Sequence, residues 1–266
     1  MMGFAVIVGS VLAGWRMPGF PPLNVEYGFI TGFMLTAGSM VANDYYDRRI
    51  DAVNEPNRPI PKGLIKPGQA LAFALFLALI GFAAAYLTSL LSLALAAVSL
   101  ILFTVYTTVG KRSGLPGNFL VSTCVAVPFV YGSVVATDAV QLNVLVFVSM
   151  VFLSNTGREV TKGIVDTQGD KSQNVRTIAV RFGDKVAAIL AAAFYVAATL
   201  LSPVPVVLGM VSNWFIPVVC ITDIGLIASS ISLLRNHSRA NSRRIKNLVL
   251  LWFVIGLLAF LIGAIR

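Results

Sequence analysis

Long apolar runs separated by short polar segments dominate the pattern of this chain. Runs without Asp, Glu, Lys or Arg cover residues 67–110, 113–137, 139–157, 186–222 and 247–265. One membrane-spanning helix needs roughly 20 apolar residues, so the first and fourth runs are each long enough for two helices. The pattern predicts nine spans, near residues 2–14, 25–46, 68–88, 91–109, 118–136, 141–160, 184–201, 204–232 and 246–265. The eighth is predicted to be broken, with its main part starting near Trp214.

The composition agrees with this pattern. Of the 266 residues, 57% are hydrophobic and 12% are charged, and the mean hydropathy is +0.85. A soluble domain of this length would need charged side chains over its whole surface. We therefore predict an all-α integral membrane protein, with a single transmembrane domain over residues 1–266. The first apolar run lacks a basic segment before it and a cleavage site after it, so it is predicted to be a retained helix.

Basic residues are concentrated in alternate connections between the predicted helices. Eighteen of the 20 Lys and Arg residues follow the second, fourth, sixth or eighth helix, and only Arg16 and Arg266 lie on the other side. Cytoplasmic loops of membrane proteins carry an excess of Lys and Arg. The N-terminus is thus predicted to be cytoplasmic and the C-terminus external. The basic loop at residues 235–246, which holds His237, is predicted to contact lipid headgroups.

The segment NDYYDRRIDAVNEPNRPIPKG at residues 43–63 is the first of two acidic clusters. It holds four carboxylates and four basic side chains. Asn43, Asp47 and Asp51 are spaced four apart, which places them on one face if the preceding helix continues through them. Prolines at positions 56, 59 and 61 are predicted to end the helix and lead into a loop.

The second acidic cluster lies in residues 158–185. Asp166 and Asp170 are again four apart, and several Lys and Arg residues surround them. Eight of the eleven acidic residues of the chain fall in the two connections that hold these clusters. A single D-x-x-x-D is common on solvated helices, but two of them in a chain with so few acids favour a site. We interpret the clusters as facing halves of one cytoplasmic site.

Carboxylates gathered on one membrane face without a thiol or histidine favour Mg²⁺ or Mn²⁺ over zinc or iron. Mg²⁺ shares its coordination shell with phosphate oxygens. Basic residues among the acids therefore suggest a diphosphate, held by metal on one side and by cations on the other. An apolar bundle beneath such a site indicates an isoprenyl diphosphate whose tail lies between helices. Metals and bases would stabilise the departing pyrophosphate, and an acceptor would capture the allylic cation.

These residues resemble the aspartate motifs of the UbiA superfamily of intramembrane prenyltransferases. N-D-Y-Y-D-R-R-I-D at 43–51, followed by N-R-P-I-P-K-G at 57–63, is similar to the first motif, and D-T-Q-G-D at 166–170 is similar to the second. The nine-helix count matches across the chain. The resemblance implies a nine-helix bundle whose central cavity opens to the cytoplasmic face and laterally to lipid, and Mg²⁺-dependent transfer of a prenyl group from its diphosphate.

The resemblance also implies the site residues, with two Mg²⁺ ions. Metal ligands are implied at Asn43, Asp44, Asp47, Asp51, Asp166 and Asp170. The catalytic residues among them are Asp47, Asp51, Asp166 and Asp170. Substrate binding is implied for Arg58, Lys62, Tyr106, Lys111, Asn155, Arg158, Lys162 and Lys171. The family often has a tyrosine and a lysine four apart after the fourth helix, whereas Tyr106 and Lys111 are five apart.

Within the superfamily, R-E-x-x-K at 158–162 and D-x-x-G-D-K at 166–171 most resemble archaeal enzymes that attach a second geranylgeranyl chain to geranylgeranylglyceryl phosphate. Such an acceptor carries its own phosphate and needs more cations than a neutral phenol would. The implied partners are an isoprenyl diphosphate donor, a lipid-phosphate acceptor and membrane lipid, with no nucleic acid and no obligatory protein partner. An aspartate such as Asp51, or the pyrophosphate itself, is predicted to accept the proton of the attacking hydroxyl.

Three alternatives stay open at this point. The first motif is shared widely, so the acceptor could instead be a quinone precursor, chlorophyllide or haem. A cation transporter would place its acids within the spans, where only Asp223 lies deep. A lipid-binding scaffold would not need oxygen ligands at this spacing. For Asp223 a protonated, hydrogen-bonded structural role is predicted ahead of a functional one, and Cys124 and Cys220 indicate neither a disulfide nor a metal site.

Overall fold

The computed structural model describes residues 2–14, 17–172 and 175–264 of the chain. These residues form eleven α-helices and one 3₁₀ helix and contain no strand. The helices are α1 (Met2–Gly14), α2 (Pro22–Asn54), α3 (Pro67–Thr88), α4 (Leu90–Thr108), α5 (Leu115–Thr137), α6 (Leu142–Ser172), α7 (Ile178–Phe182), α8 (Asp184–Leu201), α9 (Val204–Val207), α10 (Phe215–Arg235) and α11 (Arg239–Ala264), and the 3₁₀ helix is Gly110–Arg112. The prediction of an all-α chain is confirmed over this part of the sequence.

The helix boundaries follow the hydrophobic pattern closely. Only Ser89 separates α3 from α4, where the pattern predicts a tight turn. The break in the eighth predicted span is also present, since α9 ends at Val207 and α10 begins at Phe215. Two helices run well past the predicted ends of their spans, α2 to Asn54 and α6 to Ser172. The acidic clusters are therefore built on helices that emerge from apolar segments.

Six helical segments of the described chain are long and apolar enough to cross a membrane. They are α3, α4, α5, α10, α11 and the segment Asp184–Val207, which contains α8 and α9. The protein is therefore a multi-pass membrane protein. The count of nine spans stays a prediction, because α1 has only 13 residues and α2 and α6 each join an apolar part to a charged end.

The chain divides into two compact units. Unit 1 contains Met1–Thr108 and Pro128–Ala139, and unit 2 contains Val109–Val127 and Val140–Arg266. One boundary falls inside α5 at Pro128, the proline within that helix. Proline lacks the backbone N–H that an internal helix position would donate. The single domain predicted from the sequence stays a prediction.

Small residues allow the helices of unit 1 to approach closely. A methyl group at Gly9 of α1 would collide with the carbonyl oxygen of Phe129, and one at Gly132 would collide with the carbonyl oxygen of Val6. Ser10 adds a hydrogen bond of 2.9 Å from its hydroxyl to the carbonyl of Gly132. Glycine is required here because two helix backbones are in direct contact, as at small-residue interfaces in membranes.

Unit 2 is organised around α6, α8, α10 and α11. Its core contains Ile164 of α6, Ala191 of α8, Leu226 of α10 and Val249 of α11, all buried. Tyr195 is fully buried as well, and its hydroxyl lies 2.9 Å from the hydroxyl of Thr161. These contacts pack α6, which carries the second acidic cluster, against the other helices of unit 2.

Candidate active site

The first acidic cluster occupies the C-terminal end of α2. The helix continues without a break to Asn54, which confirms that Asn43, Asp47 and Asp51 follow one another along one helix face. The Asn43 amide donates a hydrogen bond of 2.9 Å to Asp47 Oδ2. Helix α2 ends two residues before Pro56, which is where a proline disfavours further helical residues. Two oxygen-bearing side chains are thereby placed side by side at the polar end of an apolar helix.

Arg58 contacts two further carboxylates of this cluster. Its Nη1 lies 2.9 Å from Asp44 Oδ1 and 2.9 Å from Asp51 Oδ2. The Asp51 side chain is only 10% exposed, whereas that of Asp44 is 45% exposed. We call these three side chains the α2 ion-pair group. Because Arg58 lies in the connection after α2, the group ties that connection back to the helix.

A cavity of about 520 Å³ lies beside the α2 ion-pair group. Most of its wall is apolar and includes Val41 of α2, Ile60 and Leu64 of the connection, and Phe73 of α3. The three side chains of the ion-pair group form its charged part. An apolar cavity with charged groups in its wall suits an amphiphile with a polar head and a hydrocarbon tail.

Two other basic side chains of the first cluster, Lys62 and Arg48, face solvent and α2 respectively. Lys62 is exposed, and its backbone N–H donates to the Arg58 carbonyl at 2.9 Å. Arg48 lies over the ring of Tyr45, 4.4 Å from the ring centroid, and donates to the Tyr45 carbonyl. Such contacts hold Arg48 along α2.

The second acidic cluster lies on the C-terminal part of α6. Asp166 and Asp170 share one face, since the helix extends to Ser172, as the sequence predicts. Burial raises the pKa of the Asp170 carboxyl above its ordinary value, and the negative charge of Asp166 adds to this effect. A hydrogen bond with Thr177 and the positive charge of Lys162 act in the opposite direction. The two carboxylates therefore repel each other in a partly desolvated place.

The neighbouring helices α7, α8 and α11 surround this part of α6. Thr177 caps α7, where its hydroxyl accepts from the Val180 N–H at 3.3 Å. Thr167, between the two aspartates in sequence, places its hydroxyl 3.3 Å from Asp184 Oδ1 at the start of α8. On the other side, Arg239 of α11 donates from Nε to the Val165 carbonyl at 3.0 Å. The backbone beside Asp166 is thus held from α8 and from α11.

Two of the three predicted substrate-binding cations of α6 share one carboxylate. Arg158 Nη1 lies 2.8 Å from Glu159 Oε1, and Lys162 Nζ lies 3.7 Å from Glu159 Oε2. Glu159 is only 12% exposed. The Nε of Arg158 is buried and has no hydrogen-bond partner among the described residues. The cations are therefore held close together, and Arg158 keeps a donor that no described group satisfies.

The remaining predicted substrate-binding residues range from buried to exposed. Asn155 is buried and donates from Nδ2 to the Ser122 hydroxyl of α5 at 3.0 Å. Lys171 is exposed near the end of α6. Tyr106 lies in the last turn of α4, and Lys111 lies in the 3₁₀ helix after it. The contact of Asn155 is one that holds α5 and α6 together.

Sequence reasoning did not assign site roles to Glu159, Asp184 and Arg239, which contact or support the predicted site residues. Glu159 carried a signal, because it lies three residues before Lys162 and a helix brings such pairs together. Asp184 and Arg239 carried none, since they reach α6 from other helices. Only the packing of α8 and α11 against α6 brings them there.

The donor set of each cluster is compatible with Mg²⁺. Among the described residues, no group of three or more His, Cys, Asp and Glu side chains is placed to hold a metal ion. Each cluster instead offers a pair, Asn43 with Asp47 on α2 and Asp166 with Asp170 on α6. Mg²⁺ is commonly bound by one or two carboxylates, with phosphate oxygens and water completing its shell. The mutual repulsion of Asp166 and Asp170 would also be relieved by a cation.

Asp223 of α10 makes a contact between helices. The Ser202 hydroxyl, after the end of α8, lies 2.5 Å from Asp223 Oδ2. Its other oxygen, Oδ1, is buried without a partner among the described residues. A hydrogen bond from α10 to the end of α8 agrees with the structural role predicted for Asp223.

Comparison with known proteins gives a family match over almost the whole chain. The sequence profile described as the UbiA prenyltransferase family matches residues 2–264. Digeranylgeranylglyceryl phosphate synthase of Archaeoglobus fulgidus is 33% identical over 269 residues, which cover 99% of this chain and 91% of the relative. The enzyme of the same name from Korarchaeum cryptofilum is 34% identical over 239 residues, which cover 89% of this chain and 84% of the relative.

Solved structures agree with this match. A structure of digeranylgeranylglyceryl phosphate synthase in membranes has a TM-score of 0.87 and 28% identity, and the match covers 99% of this chain and 93% of that one. A UbiA homologue from Archaeoglobus fulgidus, solved with GPP and Mg²⁺, has a TM-score of 0.68 and 14% identity over 97% of this chain and 95% of that one. At that identity the likeness extends to the fold alone.

Proposed function

This chain belongs to the UbiA prenyltransferase family, and on that premise we propose that it transfers a geranylgeranyl group from geranylgeranyl diphosphate to geranylgeranylglyceryl phosphate. The product would carry the second ether bond of archaeal membrane lipids. Relatives named digeranylgeranylglyceryl phosphate synthase, at 33% and 32% identity, support this choice of acceptor. The observation that carries the proposal is a pair of oxygen ligands, flanked by basic side chains, at the polar end of each of the two long helices α2 and α6.

The proposed architecture places both pairs in one site. Nine spans would form a bundle in which the α2 and α6 clusters face each other at the cytoplasmic mouth of a central cavity. The cavity would open laterally to lipid, so that two hydrocarbon tails can enter from the membrane. The N-terminus would be cytoplasmic and the C-terminus external, in line with the concentration of Lys and Arg in alternate connections. The enzyme would act without a protein partner.

The α2 and α6 pairs would hold two Mg²⁺ ions. Asn43 and Asp47 would provide one set of ligands, and Asp166 and Asp170 the other, with Asp44 and Asp51 beside the first. When bound, Mg²⁺ supplies neutralisation of the charge that develops on the departing pyrophosphate. Solved UbiA homologues with GPP and Mg²⁺ or DMAPP and Mg²⁺ support the use of a divalent metal.

Basic side chains of this chain would bind and orient the phosphate groups. These are Arg58, Lys62, Lys111, Arg158, Lys162 and Lys171, with Tyr106 and Asn155 completing the predicted substrate contacts. Arg158 already has a buried Nε without a partner among the described residues, which an anionic oxygen would satisfy. Cations that lie close to the bond that breaks would stabilise the leaving group more than the intact diphosphate.

The acceptor hydroxyl must lose its proton as the new ether bond forms. The allylic carbon loses its bond to the diphosphate oxygen and gains a bond to the acceptor oxygen. Asp51, buried beside the cavity, would accept the proton, and a pyrophosphate oxygen is the alternative. Full turnover by Asp51→Asn would remove Asp51 from this role and leave the pyrophosphate.

A transfer assay in lipid nanodiscs tests the proposed function. Radiolabelled geranylgeranyl diphosphate and Mg²⁺ are offered with geranylgeranylglyceryl phosphate, 4-hydroxybenzoate or dihydroxynaphthoate. We expect label to move only to the glyceryl phosphate, and Asp47→Ala and Asp170→Ala to be inactive. Glu26→Gln, an exposed acid on α2 outside the clusters, serves as the matched control and should stay active. Transfer to an aromatic acid would overturn the proposal that geranylgeranylglyceryl phosphate is the acceptor. Folded protein that transfers no label would overturn the proposed prenyltransferase activity.

A further inference from the structure

A single carboxylate on α6 contacts two of the three α6 cations to which phosphate binding is assigned. Arg158 contacts one oxygen of Glu159 at 2.8 Å, and Lys162 contacts the other at 3.7 Å. Glu159 is the least exposed of the three, at 12%, against 20% for Arg158 and 45% for Lys162. Glu159 therefore lies between the cations and beneath the more exposed Lys162.

The contact between Arg158 and Glu159 is unusual for a helix. Neighbouring residues point about 100° apart around the axis, so they do not ordinarily face each other. The arginine reaches Glu159 with Nη1, and its Nε stays buried without a partner among the described residues. A solvated surface pair would leave every guanidinium N–H able to bond water. Arg158 instead pairs with Glu159 through Nη1, and its buried Nε–H can still donate to an incoming anion.

Charge explains what Glu159 contributes. Arg158 and Lys162 are one helical turn apart, and without an acid between them their positive charges would repel each other in a partly buried place. Glu159 lowers the charge of the three side chains from +2 to +1. The same negative charge opposes an incoming anion, so Glu159 affects both the position of the cations and the strength with which they hold phosphate.

We propose that Glu159 is a positioning residue that holds Arg158 and Lys162 as a preassembled pair for a substrate phosphate group. The proposal rests on the proposed function in one respect, namely that these two cations bind phosphate. The shared chemistry is a phosphoryl group, which either the donor diphosphate or the acceptor phosphate supplies. Glu159 does not touch the substrate and acts only through the two cations.

The test compares Glu159→Gln with the unchanged protein in nanodiscs containing Mg²⁺. Inorganic pyrophosphate and geranylgeranylglyceryl phosphate are titrated separately by calorimetry, and kcat and KM are measured with both substrates. We expect Glu159→Gln to bind phosphate about 3- to 10-fold more tightly, because a nearby negative charge is removed. We expect kcat to fall about 10-fold, because an amide does not hold two cations in place. Tighter binding of pyrophosphate identifies the donor, and tighter binding of the lipid phosphate identifies the acceptor.

Three further variants separate positioning from folding. Arg158→Gln should change phosphate affinity in the opposite direction, a reversal that loss of folded protein does not produce. Glu159→Asp keeps the charge on a shorter side chain, and it should recover part of kcat with affinity close to that of the unchanged protein. Glu26→Gln removes the same charge from an exposed position on α2 and should leave kcat and phosphate affinity unchanged.

The outcomes also distinguish this inference from the proposed function. If Glu159→Gln matches the unchanged protein in phosphate affinity and kcat, the positioning role is overturned. The same holds if its only defect is a lower melting temperature. If no prenyl transfer occurs in any variant, yet Glu159→Gln still binds pyrophosphate more tightly and Arg158→Gln less tightly, the proposed function fails and the positioning role stands.

Discussion

The contacts that Arg58 makes in the structure compete with the role predicted for it from the sequence. The sequence predicts phosphate binding, whereas in the structure its guanidinium contacts Asp44 and Asp51 of α2 at 2.9 Å each. Arginine has five N–H donors, so both roles are compatible only if Arg58 offers other donors to phosphate. The α2 ion-pair group also forms the charged part of the wall of the cavity beside α2.

Replacing Arg58 should therefore impair both activity and stability. Arg58→Gln is expected to raise the KM for geranylgeranyl diphosphate at least about 10-fold, since a charge-assisted contact is lost. The melting temperature should fall as well, because the variant leaves the nearly buried Asp51 carboxylate without its cationic partner. Arg49→Gln, an exposed arginine on the same helix, is the control and should retain both properties. A variant that melts early while its KM is unchanged would assign Arg58 a purely structural role.

The raised pKa of Asp170 predicts a dependence of stability on pH. Its pKa is raised by burial and by Asp166, so the folded state holds a proton more firmly than the unfolded state does. In metal-free protein this contribution to stability is present at low pH and is lost as the pH rises through the raised pKa. The melting temperature in EDTA should thus fall with rising pH over this range, and Asp170→Asn should lose part of that fall.

Adding Mg²⁺ at neutral pH should raise the melting temperature of the unchanged protein more than that of Asp170→Asn. A cation relieves the repulsion between Asp166 and Asp170 in the unchanged protein, whereas Asp170→Asn has lost one ligand and one charge. The unchanged protein should gain more in melting temperature than the variant does. Equal gains would indicate that Asp170 does not contribute to metal binding.

The contact between α1 and α5 in unit 1 depends on two glycines at which backbones touch. Any side chain at Gly132 of α5 would meet the Val6 carbonyl of α1. Gly132→Ala is expected to destabilise the protein by about 1–3 kcal/mol, the usual cost of overpacking. Gly68→Ala on α3, where no atom lies within 4 Å of the added methyl group, should be neutral. Thermal unfolding in detergent measures both, and equal melting temperatures would mean that α1 shifts away at no cost.

The distribution of charge makes a prediction for the whole molecule. Cysteines are introduced at Asp138, in the connection between α5 and α6, and at Ala240, near the start of α11, in a protein without Cys124 and Cys220. A membrane-impermeant maleimide added to intact cells should label position 138 and spare position 240, because Lys and Arg favour the cytoplasmic face. Inverted vesicles should give the opposite pattern. Labelling of both positions on one side would contradict the nine-span topology.

The sequence by itself determined the helical class, most helix boundaries and the two acidic motifs. Apolar length sets where a helix can lie in a membrane, and proline and charge set where it ends, so Ser89 and the helix end before Pro56 were both predictable. Spacing of four residues was enough to place Asp166 and Asp170 on one face, because that geometry is local to a helix. The motif letters were also enough to indicate the family.

Only the tertiary structure decided which groups these residues contact. Arg58 contacts Asp44 and Asp51 because the connection after α2 folds back against the helix, and Asn155 contacts Ser122 because α6 packs against α5. Arg239 reaches the Val165 carbonyl from a helix 74 positions away in sequence. Contacts of this kind depend on how helices pack and on which donors are left buried, and no periodicity along the chain encodes either one.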